Sequence, residues 1–243
     1  MAQNSFTRGL DVLIAIARNG QVSVAEVAEE LGLATSTAYR YVRSLRDYGL
    51  IEESQGVYVP GWRLMEISGE HLTHTRLAEV AGEYLRTLTY QTGETAVLAV
   101  RAGSHAICLR QSVSPAPDRY AFRINELLPL YAGAGQRLLL AYAPRPIVEV
   151  ALANLVSYSA ATIKPDELPA ALAQVRRDQL AVSRGEFKEG AIAVAVPVFS
   201  NGECAASLTI AGPSDRCDNA EWVRRTTRLL RAAAGEMSAE IDA

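Results

Sequence analysis

The sequence VSVAEVAEELGLATSTAYRYVRSL, residues 22–45, predicts two helices joined by a tight turn. Ser23 is a good N-cap for the first helix, and Glu26 stands three residues later as its capping-box partner. Gly32 follows the last apolar position, where a helix end commonly needs a positive φ. We expect Thr35 or Ser36 to cap the second helix. Because the connection is so short, the stretch predicts a helix-turn-helix.

Each of these helices has one apolar face at helical spacing. The faces consist of Val24, Val27, Ala28 and Leu31 in the first helix, and of Ala38, Tyr41, Val42 and Leu45 in the second. The opposite side of the second helix is then free to enter a DNA major groove. The residues expected on that side are Ser36, Thr37, Tyr39, Arg40 and Arg43. Two amphipathic helices of an ordinary all-α bundle are the alternative.

The flanking sequence extends this motif to a winged helix. An earlier helix is predicted from the spacing of Phe6, Leu10, Leu13, Ile14 and Ala17. Residues 48–59 predict a helix end, a short strand, a turn at 54–56 and a second short strand. Three helices and a hairpin account for residues 4–60. We expect Ser54 and Gln55, at the tip of this wing, to touch the DNA backbone or minor groove.

Charge limits the affinity expected of this segment. Residues 1–60 contain five Arg against seven Asp and Glu, a net charge of −2, whereas a DNA-binding domain is usually basic. Residues 35–48 contain three Arg against one Asp, so the positive charge is local. We therefore expect weak, salt-sensitive non-specific binding and specific binding by a dimer that presents two half-sites.

Composition limits the class of protein. A chain of 243 residues that is 49% hydrophobic can form two domains with full cores. It lacks an uninterrupted apolar run of about 18 residues, and its first residues lack a signal-peptide pattern. Cys108, Cys204 and Cys217 are odd in number and lack CxxC spacing. This pattern favours a reducing cytoplasm and argues against a disulfide framework or a zinc site.

We expect three segments along the chain. They are a DNA-binding domain at 1–60, a linker helix at 61–76 and a ligand-binding domain at 77–243. Trp62, Met65 and Leu72 of the linker could pair with a second subunit. His71 and His74 lie three residues apart beside Glu70, which would suit a metal, but no further ligand has the spacing to complete such a site.

Residues 77–243 predict a mixed α/β domain (α+β), with one antiparallel sheet flanked by helices. A helix from Leu77 ends at Thr92-Gly93, and a last helix is expected at 220–241. Further helices are predicted at 135–143, 145–152 and 165–178, strands at 94–101, 105–113, 191–199 and 203–211, and a looser extended stretch at 119–125. Asn201-Gly202 is a strong hairpin signal between the last two strands.

Two features of this domain suggest a binding pocket. Alternate residues Ala191, Ala193 and Ala195 place bare methyl groups on one face of a strand, which permits either close helix packing or a small ligand. Residues 130–137, LYAGAGQR, place small residues at a helix N-terminus, where backbone N–H groups favour an anion. Arg119, Tyr120, Phe122 and Arg123 add charge and aromatic surface just before it. A small carboxylate, aromatic or otherwise, suits this mixture.

Several of these segments, in order, resemble the IclR family of bacterial transcriptional regulators. They are Ser36–Arg40 in the second helix of the motif, residues 128–137 and residues 186–213. The resemblance extends from about Ser5 to the end of the chain. It implies a GAF-like effector domain, dimers that often pair into tetramers, and control of nearby catabolic genes by a small organic acid. By position it implies a pocket that includes Ala134, Gly135, Ser183, Ala191 and Ala193.

The chain departs from the family pattern at several positions. Gln136-Arg137 stands where Gly-Lys is usual, and Tyr131 stands where His is frequent. Ser183 occupies a pocket position that can be acidic in relatives, and the second wing strand ends Val59-Pro60-Gly61 where Leu-Gly is usual. The pocket departures leave the effector open, although the small Ala191 and Ala193 suggest more room than a two-carbon acid needs.

The expected function is a DNA-binding transcriptional regulator, and we favour a repressor over an activator. Operator binding would be controlled by a small organic acid, with Arg119 and Tyr131 joining the pocket residues, and the target would be a nearby catabolic operon. The expected partners are double-stranded operator DNA, the organic acid and further copies of the chain, as a homodimer or a dimer of dimers. No metal, cofactor or membrane is expected.

Two other classes are weaker alternatives. An enzyme lacks support because no Ser/His/Asp or Cys/His set is evident and Gly-x-Ser-x-Gly is absent. A redox sensor would use Cys108 and Cys204, yet both fall in apolar strand contexts, where free cysteine usually behaves as a small hydrophobe.

Overall fold

The computed structural model describes residues 5–54, 56–61, 63–64, 71–124 and 126–243. Contacts divide the chain into two compact units, Met1–Leu72 and Thr73–Ala243. The side chains of Ser54, His71, Leu72 and Thr73 lie outside the description. The predicted contacts of Gln55, Trp62, Met65 and Leu72, and a metal site that would need His71, therefore lie outside the described residues.

The first unit is a winged helix. Its elements in order are α1 (Ser5–Asn19), α2 (Val24–Glu30), α3 (Thr35–Asp47), β1 (Ile51–Ser54) and β2 (Val57–Pro60). The strands pair antiparallel, with Ser54 opposite Val57. Ser23 and Glu26 form both bonds of the predicted capping box, and Gly32 has a φ of +60°. The predicted helix-turn-helix and hairpin are therefore confirmed.

The core of the first unit confirms the two predicted apolar helix faces, those of α2 and α3. Residues of α2 and α3 are buried as expected, among them Val27, Ala38 and Val42. In α1, however, the buried residues are Val12, Ala15 and Ile16. The helix predicted from the spacing of Phe6, Leu10, Leu13, Ile14 and Ala17 is present. Of these residues, Leu13 packs against the core, whereas Phe6, Leu10 and Ile14 are exposed.

The start of α3 also differs from expectation. Ala34 is its N-cap, in extended conformation, and no described side chain caps the helix. Thr35 is already the first helical residue, so neither it nor Ser36 acts as the cap. Their hydroxyl groups are thereby left on the outer side of the helix start.

The second unit contains one six-stranded antiparallel sheet with helices on both faces. Its elements are α4 (His71–Thr92), β3 (Thr95–Ala102), β4 (His105–Ser112), β5 (Leu127–Pro129), α5 (Ala134–Ala141), α6 (Arg145–Ala153), α7 (Leu168–Asp178), β6 (Ala181–Arg184), β7 (Ala191–Ser200), β8 (Glu203–Pro213), α8 (Ser214–Cys217) and α9 (Ala220–Ile241). The strand order is β5-β4-β3-β8-β7-β6. The α+β class with an antiparallel sheet is as predicted.

The two faces of the sheet form two cores. On one face α4 and α9 pack against Val194, Val196 and Leu208, among other strand residues. On the other face α5 and α7 cover Ala99 and Ala195. The alternation predicted for β7 is confirmed: Val194, Val196 and Val198 belong to the first core, whereas Ala193 and Ala195 lie on the side of α5.

Several elements of the second unit differ from those predicted. Helix α4 runs unbroken from His71, across the expected boundary at 76–77, and β5, β6 and α8 were not predicted. Ser183 therefore lies within β6, opposite Ala193, rather than ahead of a strand. Residues 119–124 form no strand beyond an isolated bridge between Ile124 and Cys108. The hairpin at Asn201-Gly202 is present, with positive φ at both residues.

Close packing explains one glycine beneath the candidate pocket. A Cβ on Gly135 would lie 2.6 Å from Thr209 Oγ1 and 3.0 Å from Ser207 Oγ. Helix α5 can therefore lie directly on β8 only because this position lacks a side chain.

No helix among the described residues is long and apolar enough to cross a membrane.

Candidate nucleic-acid interface and ligand cavity

The outer side of α3 presents the predicted row of polar and cationic residues. Ser36, Arg40 and Arg43 are exposed, Tyr39 is 56% exposed and Thr37 is half-buried. The Arg40 guanidinium lies 5.2 Å from the centre of the Tyr41 ring, so it rests against the helix while staying open to a phosphate or base. The outward direction predicted for these five residues is therefore confirmed, whereas their role with DNA stays a prediction.

Ion pairs with carboxylates occupy some of the arginines around the outer side of α3. Arg46, one turn beyond Arg43, pairs with Glu53 of the wing at 3.0 Å. Arg18 of α1 pairs with Glu30 at 3.3 Å. Because these arginines already have carboxylate partners, Arg40 and Arg43 are the cations of α3 best placed for phosphate.

The second unit contains a cavity of about 110 Å³ between the sheet and its loops. A ~150 Å³ apolar cavity holds benzene, so this space suits a molecule of about one ring. Its walls come from the start of α5, from β6, β7 and β8, and from residues 120–122, 126, 128 and 185–188. The lining residues are Tyr120, Ala121, Phe122, Glu126, Leu128, Gly133, Ala134, Gln136, Ser183, Gly185, Glu186, Phe187, Lys188, Ala191, Ala193, Thr209 and Ala211.

Four of the seven residues predicted for the pocket line this cavity. They are Ala134, Ser183, Ala191 and Ala193. Ala195, two residues further along β7, is fully buried in the core beside α5. The alanine face of β7 therefore serves both of the predicted purposes, helix packing at one end and open space at the other.

The other three predicted residues lie elsewhere. The exposed Arg119 donates from Nη1 to the carbonyl oxygen of Ala116 at 3.3 Å. The Tyr131 hydroxyl accepts from the backbone N–H of Val156 at 2.8 Å and belongs to a separate surface groove. Gly135 faces β8 rather than the cavity. These corrections arise because neither the path of the 113–126 segment nor the rotation of α5 can be read from spacing.

Several lining residues were not assigned to the pocket from the sequence. Phe187 and Lys188 lie in the loop between β6 and β7, and Thr209 and Ala211 alternate along β8. The alternation of β8 could have predicted Thr209 and Ala211 as lining residues, since Leu208 and Ile210 point into the opposite core. The loop residues gave no such signal because a loop has no period.

A buried ion pair forms the floor of the cavity beside α5. The Glu186 carboxylate accepts from Arg137 Nη1 and, at 3.2 Å, from the backbone N–H of Gly133. Arg137 Nη2 also donates to the carbonyl oxygen of Val182 at 2.7 Å. The two side chains are only 8% and 12% exposed. The pair fixes the loop after β6 to the start of α5. Because the charges of Arg137 and Glu186 balance, the pair adds no net charge to the cavity.

One residue of the cavity lining has a buried hydroxyl without a partner. Thr209 Oγ1 makes no hydrogen bond within the described part of the chain, although Thr209 is only 5% exposed. A buried hydroxyl without a bond is costly. A ligand carrying a polar group could satisfy it, so this atom is a candidate polar contact in a mostly apolar cavity.

The mouth of the cavity is bridged by contacts between two loops. The Tyr120 hydroxyl donates to the carbonyl oxygen of Glu189 at 3.1 Å. Thr95 Oγ1 donates to the carbonyl oxygen of Tyr120, and Arg216 pairs with both Glu94 and Asp118. The bond from Arg216 holds the pKa of the Asp118 carboxyl below its ordinary value. The segment that carries Tyr120 and Phe122 is thus anchored to the sheet at several points.

Cys108 and Cys217 are buried, and Cys204 is partly buried. Burial raises the pKa of Cys108, Cys204 and Cys217 to about 12. Oxidation proceeds through the thiolate, which is scarce at such a pKa. The burial of these thiols therefore argues against the redox-sensor alternative. Among the described residues no three His, Cys, Asp or Glu side chains are grouped as metal ligands.

A winged helix-turn-helix followed by a cavity-bearing antiparallel sheet defines a class of bacterial transcriptional regulators. Residues 5–55 match the IclR helix-turn-helix domain, and residues 69–239 match the C-terminal domain of the bacterial transcriptional regulator IclR. The chain belongs to the IclR family of bacterial transcriptional regulators.

Relatives and solved structures agree with this assignment. The acetate operon repressor of Salmonella typhimurium is 28% identical over 94% of this chain and 87% of its own length. A crystal structure of an IclR homologue from Microbacterium hydrocarbonoxydans, complexed with 4-hydroxybenzoate, is 25% identical, covers 98% of this chain and 99% of its own, and has a TM-score of 0.77. The IclR of Thermotoga maritima is 26% identical, covers 99% of both chains and has a TM-score of 0.65.

Proposed function

We propose that this protein is a repressor whose operator binding is controlled by a small aromatic carboxylic acid. The observation that carries the proposal is the one-ring-sized cavity, lined by Phe122, Phe187 and small alanines, in a chain that also contains a winged helix-turn-helix. The proposed target is a catabolic operon near its own gene.

Helix α3 is proposed to lie in the major groove. Its outer residues are Ser36, Thr37, Tyr39, Arg40 and Arg43, and the wing carries Ser54 and Gln55 to the flanking backbone or minor groove. With a net charge of −2 over residues 1–60, one such domain would hold DNA weakly. Specific affinity then requires two domains on two half-sites, so we propose a homodimer, or a dimer of dimers.

Exposed apolar surface on α1 supports self-association. Phe6, Leu10 and Ile14, four residues apart, are 73%, 40% and 53% exposed and form one stripe. A contiguous exposed apolar stripe is typical of an interface. We propose that two copies of the chain pair through this stripe, which would fix the spacing between two α3 helices.

The ligand is proposed to be a one-ring acid. The cavity volume favours a single ring, and the flanking Phe122 and Phe187 favour an aromatic one. The neighbour that holds 4-hydroxybenzoate gives a precedent for a ligand of this kind on the same fold. The unpartnered Thr209 Oγ1 favours a ligand with a polar substituent. The identity of the acid, the sequence of the operator and the location of the protein in a reducing cytoplasm stay predictions.

Binding would control the operator through a shift between dimer arrangements that differ in half-site spacing. The deciding experiment is a mobility-shift titration on the intergenic DNA beside the gene, against scrambled DNA at equal salt. Specific retardation that weakens with 4-hydroxybenzoate, but not with sodium chloride of equal ionic strength, is expected. Equal affinity for both DNAs would contradict the proposed local operator, and retardation unaffected by any one-ring acid would contradict the proposed ligand class.

A further inference from the structure

We infer that Lys188 selects ligands that carry a carboxylate, by meeting that group at the mouth of the cavity. The inference rests on the proposed function of this cavity and adds the residue that reads the ligand's charge. Lys188 lies in the loop that joins β6 and β7, is exposed, and lines the cavity.

The ammonium group of Lys188 has an aromatic partner rather than a carboxylate. Its Nζ lies 4.7 Å from the centre of the Tyr120 ring, and Tyr120 lines the same cavity. No ion pair joins Lys188 to a carboxylate in the part of the chain that the structure describes. A cation held over a ring at an exposed site is bound weakly, so a carboxylate can compete for it.

Of the charged residues around the cavity, Lys188 is the one best placed to bind a carboxylate. Among the described residues that line the cavity, three are acidic or basic residues that carry a formal charge at neutral pH: Glu126, Glu186 and Lys188. Glu186 is already bonded to Arg137 and to the backbone of Gly133. Glu126 is exposed and would repel an anion, which makes a compensating cation at the mouth more important. Arg119, the cation expected from the sequence, is bonded to Ala116 instead.

The mouth also holds Lys188 close to where a ligand would enter. The Tyr120 hydroxyl bonds to the backbone of Glu189, the residue after Lys188, so the ring and the loop are fixed to each other. The ammonium group is thereby positioned before the ligand arrives, which lowers the conformational cost of using it. The ligand's ring would lie inward, among Phe122 and Phe187, with its carboxylate outward.

Calorimetric titration of the full-length protein with two probes tests this assignment. 4-Hydroxybenzoate carries the charge, and 4-hydroxybenzamide is its neutral isostere. Lys188→Met should weaken binding of the acid about tenfold to a hundredfold, the usual effect of losing a charge-assisted bond, and leave binding of the amide unchanged. Lys188→Arg should retain most of the affinity for the acid. Lys164→Met, at the chain's only other lysine, which lies outside the cavity lining, is the matched control.

The possible results separate the two proposals. If wild type binds the acid and Lys188→Met binds it equally well, the role of Lys188 is wrong while the proposed ligand class stands. If wild type binds the amide as tightly as the acid, charge selection is also wrong. If wild type binds neither probe but other one-ring acids release the operator, the same titration with the releasing acid and its amide decides the role of Lys188. If no one-ring acid binds, the proposed ligand class fails and this inference fails with it.

A spectroscopic measurement tests the position of the ammonium group directly. After reductive methylation with ¹³C-formaldehyde, only the two lysines and the terminal amine carry the label. The Lys188 signal, assigned by its loss in Lys188→Arg, should be shifted upfield by the Tyr120 ring and should move when 4-hydroxybenzoate is added. A signal that is the same in Tyr120→Leu and does not respond to the acid would overturn the proposed geometry.

Discussion

At the scale of single residues, position along an element decides what a side chain does. Ala193 and Ala195 share one face of β7, yet the first lines the cavity and the second is packed under α5. Arg40 and Arg46 both point out from α3, yet only Arg46 is tied to a carboxylate. The same substitution is therefore expected to have different effects at Ala193 and Ala195, and at Arg40 and Arg46.

Replacing Arg40 and Arg43 together with alanine should remove operator binding. Both guanidinium groups lie on the outer side of α3, and each lost phosphate or base contact weakens a salt-sensitive interaction. A mobility-shift titration should show at least a hundredfold loss of affinity, while calorimetry should show unchanged binding of the acid. Arg18→Ala, on α1, is the control. Operator affinity that survives in the double variant would show that α3 is not the recognition helix.

Filling the cavity should separate ligand binding from folding. Ala193→Leu places three extra carbons into the cavity, so the acid should no longer bind, while the thermal midpoint should stay close to that of wild type. Ala195→Leu adds the same atoms to a packed core and should cost about 1–3 kcal/mol of stability. Calorimetric titration and thermal denaturation measure the two effects. Undiminished binding by Ala193→Leu would place the ligand elsewhere.

At the scale of elements, features set by neighbouring residues could be predicted from the sequence, whereas features set by distant packing could not. The capping box at Ser23 and Glu26, the turn at Gly32 and the hairpin at Asn201-Gly202 were predictable because each depends on residues within one turn. The buried face of α1, the short β5 and β6, and the loops at the cavity mouth were not. Their positions depend on partners distant in the chain, so local periodicity carries no information about them.

Loss of the α2 cap should destabilise the first unit in a pH-dependent way. Ser23 donates from its backbone and its hydroxyl to Glu26, which holds the pKa of that carboxyl below its ordinary value of 4.5. A lowered folded-state pKa means that the stabilisation is present above the unfolded pKa and is lost as the pH falls through the folded one. Ser23→Ala should cost about 1 kcal/mol at neutral pH, and the difference from wild type should shrink below about pH 4.

Denaturant unfolding followed by circular dichroism at pH 7 and pH 3.5 measures this difference. Ser44→Ala, on the exposed side of α3, is the control and should change stability by less than about 0.5 kcal/mol. If the effect of Ser23→Ala were equal at both pH values, the bond from the Ser23 hydroxyl to the Glu26 carboxylate would not contribute to the cap.

At the scale of the whole molecule, a weakly charged DNA-binding unit depends on pairing. Replacing both Leu10 and Ile14 with glutamate places charges in the apolar stripe of α1, so two copies should no longer associate through it. Operator affinity should then fall at least tenfold although Arg40 and Arg43 are intact. Mobility shift measures this loss, with Tyr48→Glu, at another exposed position of the same unit, as the control. Unchanged affinity would place the pairing surface elsewhere.

The strand order of the second unit has a consequence for how the protein is made. The central pair β3–β8 joins Thr95 to Ala211, and the residues between them contribute most of the cavity wall. Closing so long a stretch of chain is entropically slow, and it cannot occur until β8 has left the ribosome. The winged helix, built from local contacts at the N-terminal end, can fold much earlier during synthesis. We therefore expect a newly made chain to acquire its DNA-binding shape before it can sense a ligand.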